Sequence, residues 1–202
     1  MKLLELFSGT KSVGKVAEQL GYEVISLDLK DADINCNILD WDYTIYPVGH
    51  FDVIWASPPC TEYSKAKSRG IRNIDDANKI VLKTLEVIEY LNPTYHILEN
   101  PQTSLLKEQY FMYGIPYKDI DYCKYGMPYR KRTRLWNNVF QWTPKQLCKK
   151  DCGNIIDNKH ISTAQRGPST SSPNNRFKQD DLFVIPEQLI FDIFNSIPIN
   201  MP

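Results

Sequence analysis

An α/β fold, a mostly parallel sheet with helices on both faces, is predicted by three features of this 202-residue chain. Apolar runs of strand length alternate with helix-length stretches. The first run is followed at once by a turn of small residues. A long amphipathic stretch at residues 75–91 then separates two further apolar runs, which is the spacing of a parallel crossover.

The elements follow in order. Lys2-Leu3-Leu4-Glu5-Leu6-Phe7 reads as the first strand, and Glu5 breaks the apolar run in a way that argues against a leader peptide. Ser8 to Gly14 is a turn, and Lys15 to Leu20 a short helix stopped by Gly21. Glu23 to Asp28 is a second strand. A short third lies near Ile34 in the polar stretch Asp33 to Asp42, and Phe51 to Ala56 is a fourth. In D-D-A-N-K-I-V-L-K-T-L-E-V-I-E-Y-L, Val81, Leu85 and Ile88 share a helical face with Leu91 beside them. Asp75 or Asp76 serves its N-terminus, and Asn92-Pro93 ends it. Tyr95 to Glu99 is the next strand. Residues 137–181 are polar, poor in aliphatics and read as loop, most plainly in G-P-S-T-S-S-P-N-N-R at 167–176. Order returns at Pro186, a favourable first helical residue, with Leu189, Ile190, Ile193, Phe194 and Ile197 on one face.

Composition narrows the function classes. The length suits one domain with a real core, and 42% apolar residues is ordinary for a soluble protein. No stretch approaches a membrane span. Twenty-four basic residues balance 24 acidic ones, which excludes a generic DNA-coating protein but not a local patch such as Lys124, Arg130, Lys131, Arg132 and Arg134. Five cysteines, an odd number, point to free thiols in a reducing intracellular compartment, cytoplasm or nucleoid or nucleus.

Ligands of an open α/β sheet sit at the carboxyl ends of its strands. The first turn, Phe7-Ser8-Gly9-Thr10-Lys11-Ser12-Val13-Gly14, offers backbone amides there, and Asp28 ends the second strand at the distance of a ribose-binding carboxylate. The turn is neither G-x-G-x-x-G nor a Walker sequence, since Lys15-Val16 lacks the hydroxyl; a plain strand–helix turn with Asp28 as a cap is the alternative. Cys60 follows Ser57-Pro58-Pro59 directly after the fourth strand. Two prolines stiffen that loop, and a thiol held among polar and cationic groups is expected to have a lowered pKa. Glu99-Asn100-Pro101 ends the next strand, so a thiol and a carboxyl group reach one rim. In Tyr129-Arg130-Lys131-Arg132-Thr133-Arg134-Leu135-Trp136, alternation along a strand is expected to aim Arg132 and Arg134 into the site.

These elements, in this order, resemble the cytosine-5 DNA methyltransferase family, over residues 3–136 and again near 181–197. Phe7-Ser8-Gly9 is similar to its first motif, Ser57-Pro58-Pro59-Cys60 to its Pro-Cys loop, Glu99-Asn100 to its Glu-Asn motif, Arg132-x-Arg134 to its paired arginines, and Ile185-Pro186 to its last motif. The first motif departs from the family's F-x-G-x-G-G, Pro101 stands where valine is usual, and the last motif lacks Gly-Asn.

The resemblance implies a Rossmann-like methyltransferase fold and S-adenosylmethionine as methyl donor. Phe7, Ser8, Gly9, Thr10, Asp28, Leu29, Asn37, Ile38, Ser57 and Pro58 would hold the donor. Cys60, Glu99, Arg132 and Arg134 would be catalytic, with Tyr63 and Ser64 near the substrate. Residues 1–136 would be the catalytic core, 137–180 a short target-recognition region and 181–202 a C-terminal helix returning to the core. The expected partner is double-stranded, cytosine-containing DNA, without membrane contact, and the chain is expected to act as a monomer. An RNA-directed enzyme of the same chemistry and a degenerate nucleic-acid binder are the competing readings. No metal is assigned. Cys148, Cys152 and His160 could supply three zinc ligands, with Cys123 or another residue as a fourth, but the spacing is looser than C-x-x-C and favours free thiols in a recognition loop.

Overall fold

A computed structural model describes residues 1–67, 70–165, 167, 177–178 and 180–198. Most of the predicted 167–176 loop therefore lies outside the described residues. Seven strands form one sheet: β1 (Lys2–Leu6), β2 (Glu23–Asp28), β3 (Ile34–Asn35), β4 (Val53–Ala56), β5 (Tyr95–Pro101), β6 (Tyr117–Asp121) and β7 (Arg132–Asn137). Their order is β3-β2-β1-β4-β5-β7-β6, with β7 antiparallel to both of its neighbours and the other pairs parallel. The chain runs outward from β1 in both directions, so the β1/β4 boundary is the switch point where an α/β sheet opens a crevice at its strand tips.

Three helices cover the faces: α1 (Ser12–Gln19), α2 (Ile74–Leu91) and α3 (Glu187–Phe194). α1 and α3 pack with Leu3, Trp55 and Ile97 on one face. α2 lies on the other, where Val87, Ile88 and Leu91 meet Leu4 and Ile54, and Val81 meets Leu98 and Trp136. The five apolar residues predicted for the last helix are all buried, and Phe194 stacks on Tyr22 with centroids 5.1 Å apart.

Helix ends differ from the prediction in instructive ways. α2 is capped by Asn73, whose side chain accepts from the Asp76 N–H, rather than by Asp75 or Asp76. Pro186 is the residue before α3, not its first. α1 starts three residues earlier than predicted and has no cap of its own. Its amides are met from the sheet instead: Glu5 accepts from the Val13 N–H at 3.3 Å and the Gly14 N–H at 2.9 Å. Position 14 must be glycine for this approach, because a Cβ there would lie 2.7 Å from Glu5 Oε2 and 3.2 Å from Val24.

Burial pushes the Glu5 carboxyl from its ordinary 4.5 to about 7, against the pull of the two amides. A raised folded pKa means that the native state holds a proton the unfolded chain has released. The stability so gained is fully present below pH 4.5 and is lost as pH rises through about 7. The loss is on the order of 3 kcal/mol. Urea unfolding is expected to show that decline between pH 5 and 8 relative to Glu5→Gln, whose amide does not titrate. Equal pH slopes for the two proteins would contradict it.

Two elements lie outside what the sequence predicts. Tyr117–Asp121, not predicted, is the edge strand β6. The described residues of the 137–181 stretch are mostly irregular, as expected, but include a hairpin of β8 (Ile155–Ile156) and β9 (Lys159–His160).

Candidate active site

The tips of β1, β2 and β4 form the first part of the site. Phe7, Gly9 and Lys11 all have positive φ, which folds the chain tightly back after β1. Gly9 has open space where a Cβ would stand, the nearest atom being the Phe7 carbonyl oxygen at 3.9 Å. Its N–H donates to Asp28 Oδ2 at 2.9 Å, and the Leu29 N–H donates to Oδ1 at 2.6 Å. Asp28 thus ties the first turn to the tip of β2, which differs from the helix-cap role weighed from the sequence, because Gly9 precedes α1 and that helix has no side-chain cap. Ser8 Oγ is buried and finds no partner among the described residues. Leu29 is 71% exposed beside Asp28, an apolar surface at the rim. Thr10 Oγ1 is spent on Ser12, Ser57 Oγ accepts from the Trp55 indole, and Asn37 caps the Leu39 N–H. Ile38 is buried in the core beneath. An orphaned hydroxyl, an open glycine and an exposed apolar side chain around a carboxylate suit a nucleoside-like ligand.

The second part is built by β4 and β5. Asn100 is buried, and its amide donates to the Pro58 carbonyl at 3.0 Å, fastening the Pro58-Pro59-Cys60 loop to the tip of β5. Glu99, also buried, accepts from the Tyr122 hydroxyl at 3.2 Å and lies 3.9 Å from Lys131 Nζ. Lys131 itself is steered by the Leu182 carbonyl at 3.1 Å and by the Tyr122 ring, 4.8 Å from its ammonium. Cys60 is half-buried and within electrostatic reach of Glu99 and Lys131.

Burial raises the Cys60 thiol pKa, the Glu99 charge raises it further, and Lys131 lowers it. The lowered thiol expected from the sequence is therefore not found: the loop's polar composition does not keep the sulfur in water. A charge on Glu99 therefore opposes a thiolate on Cys60.

The structure does not bring Arg132 and Arg134 to this pair. Directly opposed residues share a face of a sheet, and β7 sets Leu135 opposite Glu99 but Arg134 opposite Asn100. Both arginines point to the other side. Arg132 makes a bidentate bond to Asp121 at 2.9 and 2.8 Å, and Arg134 one to Asp119 at 2.7 and 2.9 Å. The alternation was right, but the parity was wrong. Lys131 and Thr133 hold the positions facing Glu99, and sequence reasoning missed Lys131 because cations occupy both parities of R-K-R-T-R. The D-I-D of β6, matching the arginines' spacing, was the available signal. Tyr63 is likewise not at the surface: it is fully buried, with its hydroxyl donating to Asn78 at 2.8 Å. Ser64 is engaged inside its own loop with the Ala66 N–H and Arg72. Of the basic patch, Lys124 pairs with Asp151 at 3.0 Å, and Arg130 stands exposed.

An open α/β sheet with a ligand crevice at its switch point and a thiol–carboxyl pair beside it defines a class of group-transfer domains. Residues 1–134 match the model of the C-5 cytosine-specific DNA methylases, and the chain belongs to that family. It is 38% identical over 175 residues to the "Probable DNA (cytosine-5)-methyltransferase" of Frog virus 3 (isolate Goorha), covering 78% of this chain and 80% of the relative. Its fold is similar to that of the Entamoeba histolytica methyltransferase EhMeth, with a TM-score of 0.56 at 19% identity over 73% of this chain. The chain spans 56% of the length of that structure. No described helix is long and apolar enough to cross a membrane.

Proposed function

We propose that this chain methylates carbon 5 of cytosine in double-stranded DNA through a covalent bond to Cys60. The observation that carries this reading is the Asn100–Pro58 bond, which holds Cys60 beside Glu99 at adjoining strand tips in a chain of this family. S-adenosylmethionine supplies an electrophilic methyl group. Ser8, Gly9, Asp28 and Leu29 suit its nucleoside part, and the tip of β4 at Ser57 and Pro58 lies between that crevice and Cys60.

Cytosine carbon 5 is a weak nucleophile until a group adds at carbon 6. The Cys60 sulfur forms that bond, and the ring electrons displaced by it accumulate toward nitrogen 3 and carbon 5. Glu99 in its acid form donates a proton to nitrogen 3, neutralising the ring and leaving an enamine at carbon 5. Carbon 5 then takes the methyl group. Loss of its proton to a base re-forms the ring double bond and expels the sulfur, and nitrogen 3 returns its proton to Glu99. The raised Cys60 pKa fits this order. The protonated Glu99 needed for donation is the state in which the Cys60 thiolate meets no opposing charge. Lys131, rather than Arg132 or Arg134, is the cation beside the pair and favours the thiolate.

A base stacked in a duplex cannot reach a half-buried sulfur, so the cytosine must leave the stack. Arg132 and Arg134 are bound to aspartates and act here as the frame of β6 and β7. The direct test is incubation with methyl-labelled S-adenosylmethionine and mixed-sequence duplex DNA, single-stranded DNA or RNA, followed by nucleoside digestion. Label in 5-methylcytosine from duplex DNA is expected. Label only in RNA would move the reading to the RNA-directed alternative, and no label in any substrate would remove it.

A further inference from the structure

We propose that Cys123, Cys148, Cys152 and His160 form a structural zinc site that fastens the segment after β7 to the catalytic half of the molecule. Their four ligating atoms, Sγ of each cysteine and a ring nitrogen of the histidine, all lie within 4.8 Å of one another. The Cys148 sulfur is 3.5 Å from His160 Nε2. A tetrahedral site with zinc–sulfur bonds of about 2.3 Å has its ligands roughly 3.8 Å apart. The cluster is at that size with modest closure. Three thiolates and one imidazole make a closed set with no place for a reacting water, which is the signature of structural zinc rather than catalytic zinc.

The four ligands come from three separate pieces of backbone, one of which delivers two. Cys123 sits on the 3-10 turn Tyr122–Tyr125 directly after β6. Cys148 and Cys152 flank a tight loop in which Lys150 has φ 69° and its N–H donates to the Cys148 sulfur at 3.3 Å. His160 is placed by the β8–β9 hairpin, whose two turn residues, Asp157 and Asn158, both have positive φ. That is the two-residue turn whose twist matches antiparallel strands. Ile155 and His160 are direct partners across it.

Packing alone does not account for this convergence. Among described residues 143–165, only Cys148 is buried. A segment that short of core needs another source of cohesion, and a metal supplies it. A disulfide would use two of the three sulfurs and leave the third cysteine and the imidazole without purpose.

The site also touches the catalytic rim. The Cys148 N–H donates to Asp121 Oδ2 at 2.9 Å, and the same carboxylate holds Arg132. Arg132 is the residue next to Lys131. The metal therefore anchors the proposed target-recognition segment one strand position from the cation beside Glu99. This site is independent of the proposed methyl transfer, so either can fail without the other.

The test is the zinc content of the purified, reduced full chain after exhaustive dialysis, followed by exchange for cobalt(II). About one zinc per chain is expected, as is a cobalt spectrum with the intense visible bands of a tetrahedral centre and a sulfur-to-metal charge-transfer band. Cys123→Ser and Cys152→Ser should weaken both bands. Cys36→Ser, which alters a cysteine outside the cluster, should leave them unchanged. Since a ligand variant can disrupt its own segment, the wild-type metal content and spectrum decide the matter. Zinc well below stoichiometric amounts in the wild-type protein, a disulfide among these three cysteines, or an unaltered cobalt spectrum in both ligand variants would overturn the proposal.

Discussion

Cys60→Ser is expected to lose methyl transfer by on the order of a thousandfold or more while keeping the fold. A serine hydroxyl ionises far less readily than a thiol, and half-burial next to Glu99 makes its alkoxide less accessible still. The buried Tyr122 hydroxyl donates to Glu99, and burial with that neighbouring charge pushes the phenol well above its ordinary range. Cys60→Gly removes the sulfur without touching the Asn100–Pro58 fastening and is expected to bind DNA about as well as the wild type. Single-turnover methylation together with DNA binding checks both. Methyl transfer at wild-type rate by Cys60→Ser would remove the covalent pathway.

Glu99→Gln is expected to move two measurements in opposite directions. The amide cannot give a proton to nitrogen 3, and general acid catalysis of this kind contributes about a hundredfold or more. Methyl transfer should fall by that order. The same change deletes the negative charge that raises the Cys60 pKa, so the thiol should ionise at lower pH and react faster with iodoacetamide at neutral pH. Lys131→Met should do the reverse to the thiol, raising its pKa by removing a cation that opposes the shift. Loss of activity in Glu99→Gln by general damage to the site would not produce a more reactive Cys60. A thiol pKa unchanged by both substitutions would show that the three side chains are not electrostatically joined.

Much of this arrangement is legible in the sequence because strand tips are. The strands β1, β4 and β5 each carry adjacent aliphatic residues buried on both faces, so their ends, and with them Cys60 and Glu99, fall where a parallel sheet puts its ligands. α2 is legible from its period. β6 is not, because Y-K-D-I-D carries only one interior aliphatic, Ile120, and its acids are answered across the ladder by Arg132 and Arg134. Without β6 the face taken by those arginines cannot be fixed, and a shift of one position exchanges them for Lys131 and Thr133. The Cys60 pKa was misread for a related reason: polar residues near it in sequence do not report what covers it in space. The β8–β9 hairpin has strands of two residues, too short for any period to show.

A duplex whose target cytosine carries fluorine at carbon 5 gives the most direct measurement. With no proton at that carbon to lose after methylation, the sulfur cannot be expelled and the adduct should persist through denaturation. With S-adenosylmethionine present, the predicted result is a stable protein–DNA band whose digested peptide carries the modified nucleotide on Cys60. A band mapping to Cys36, Cys123, Cys148 or Cys152, or no band under conditions in which ordinary cytosine is methylated, would contradict the account.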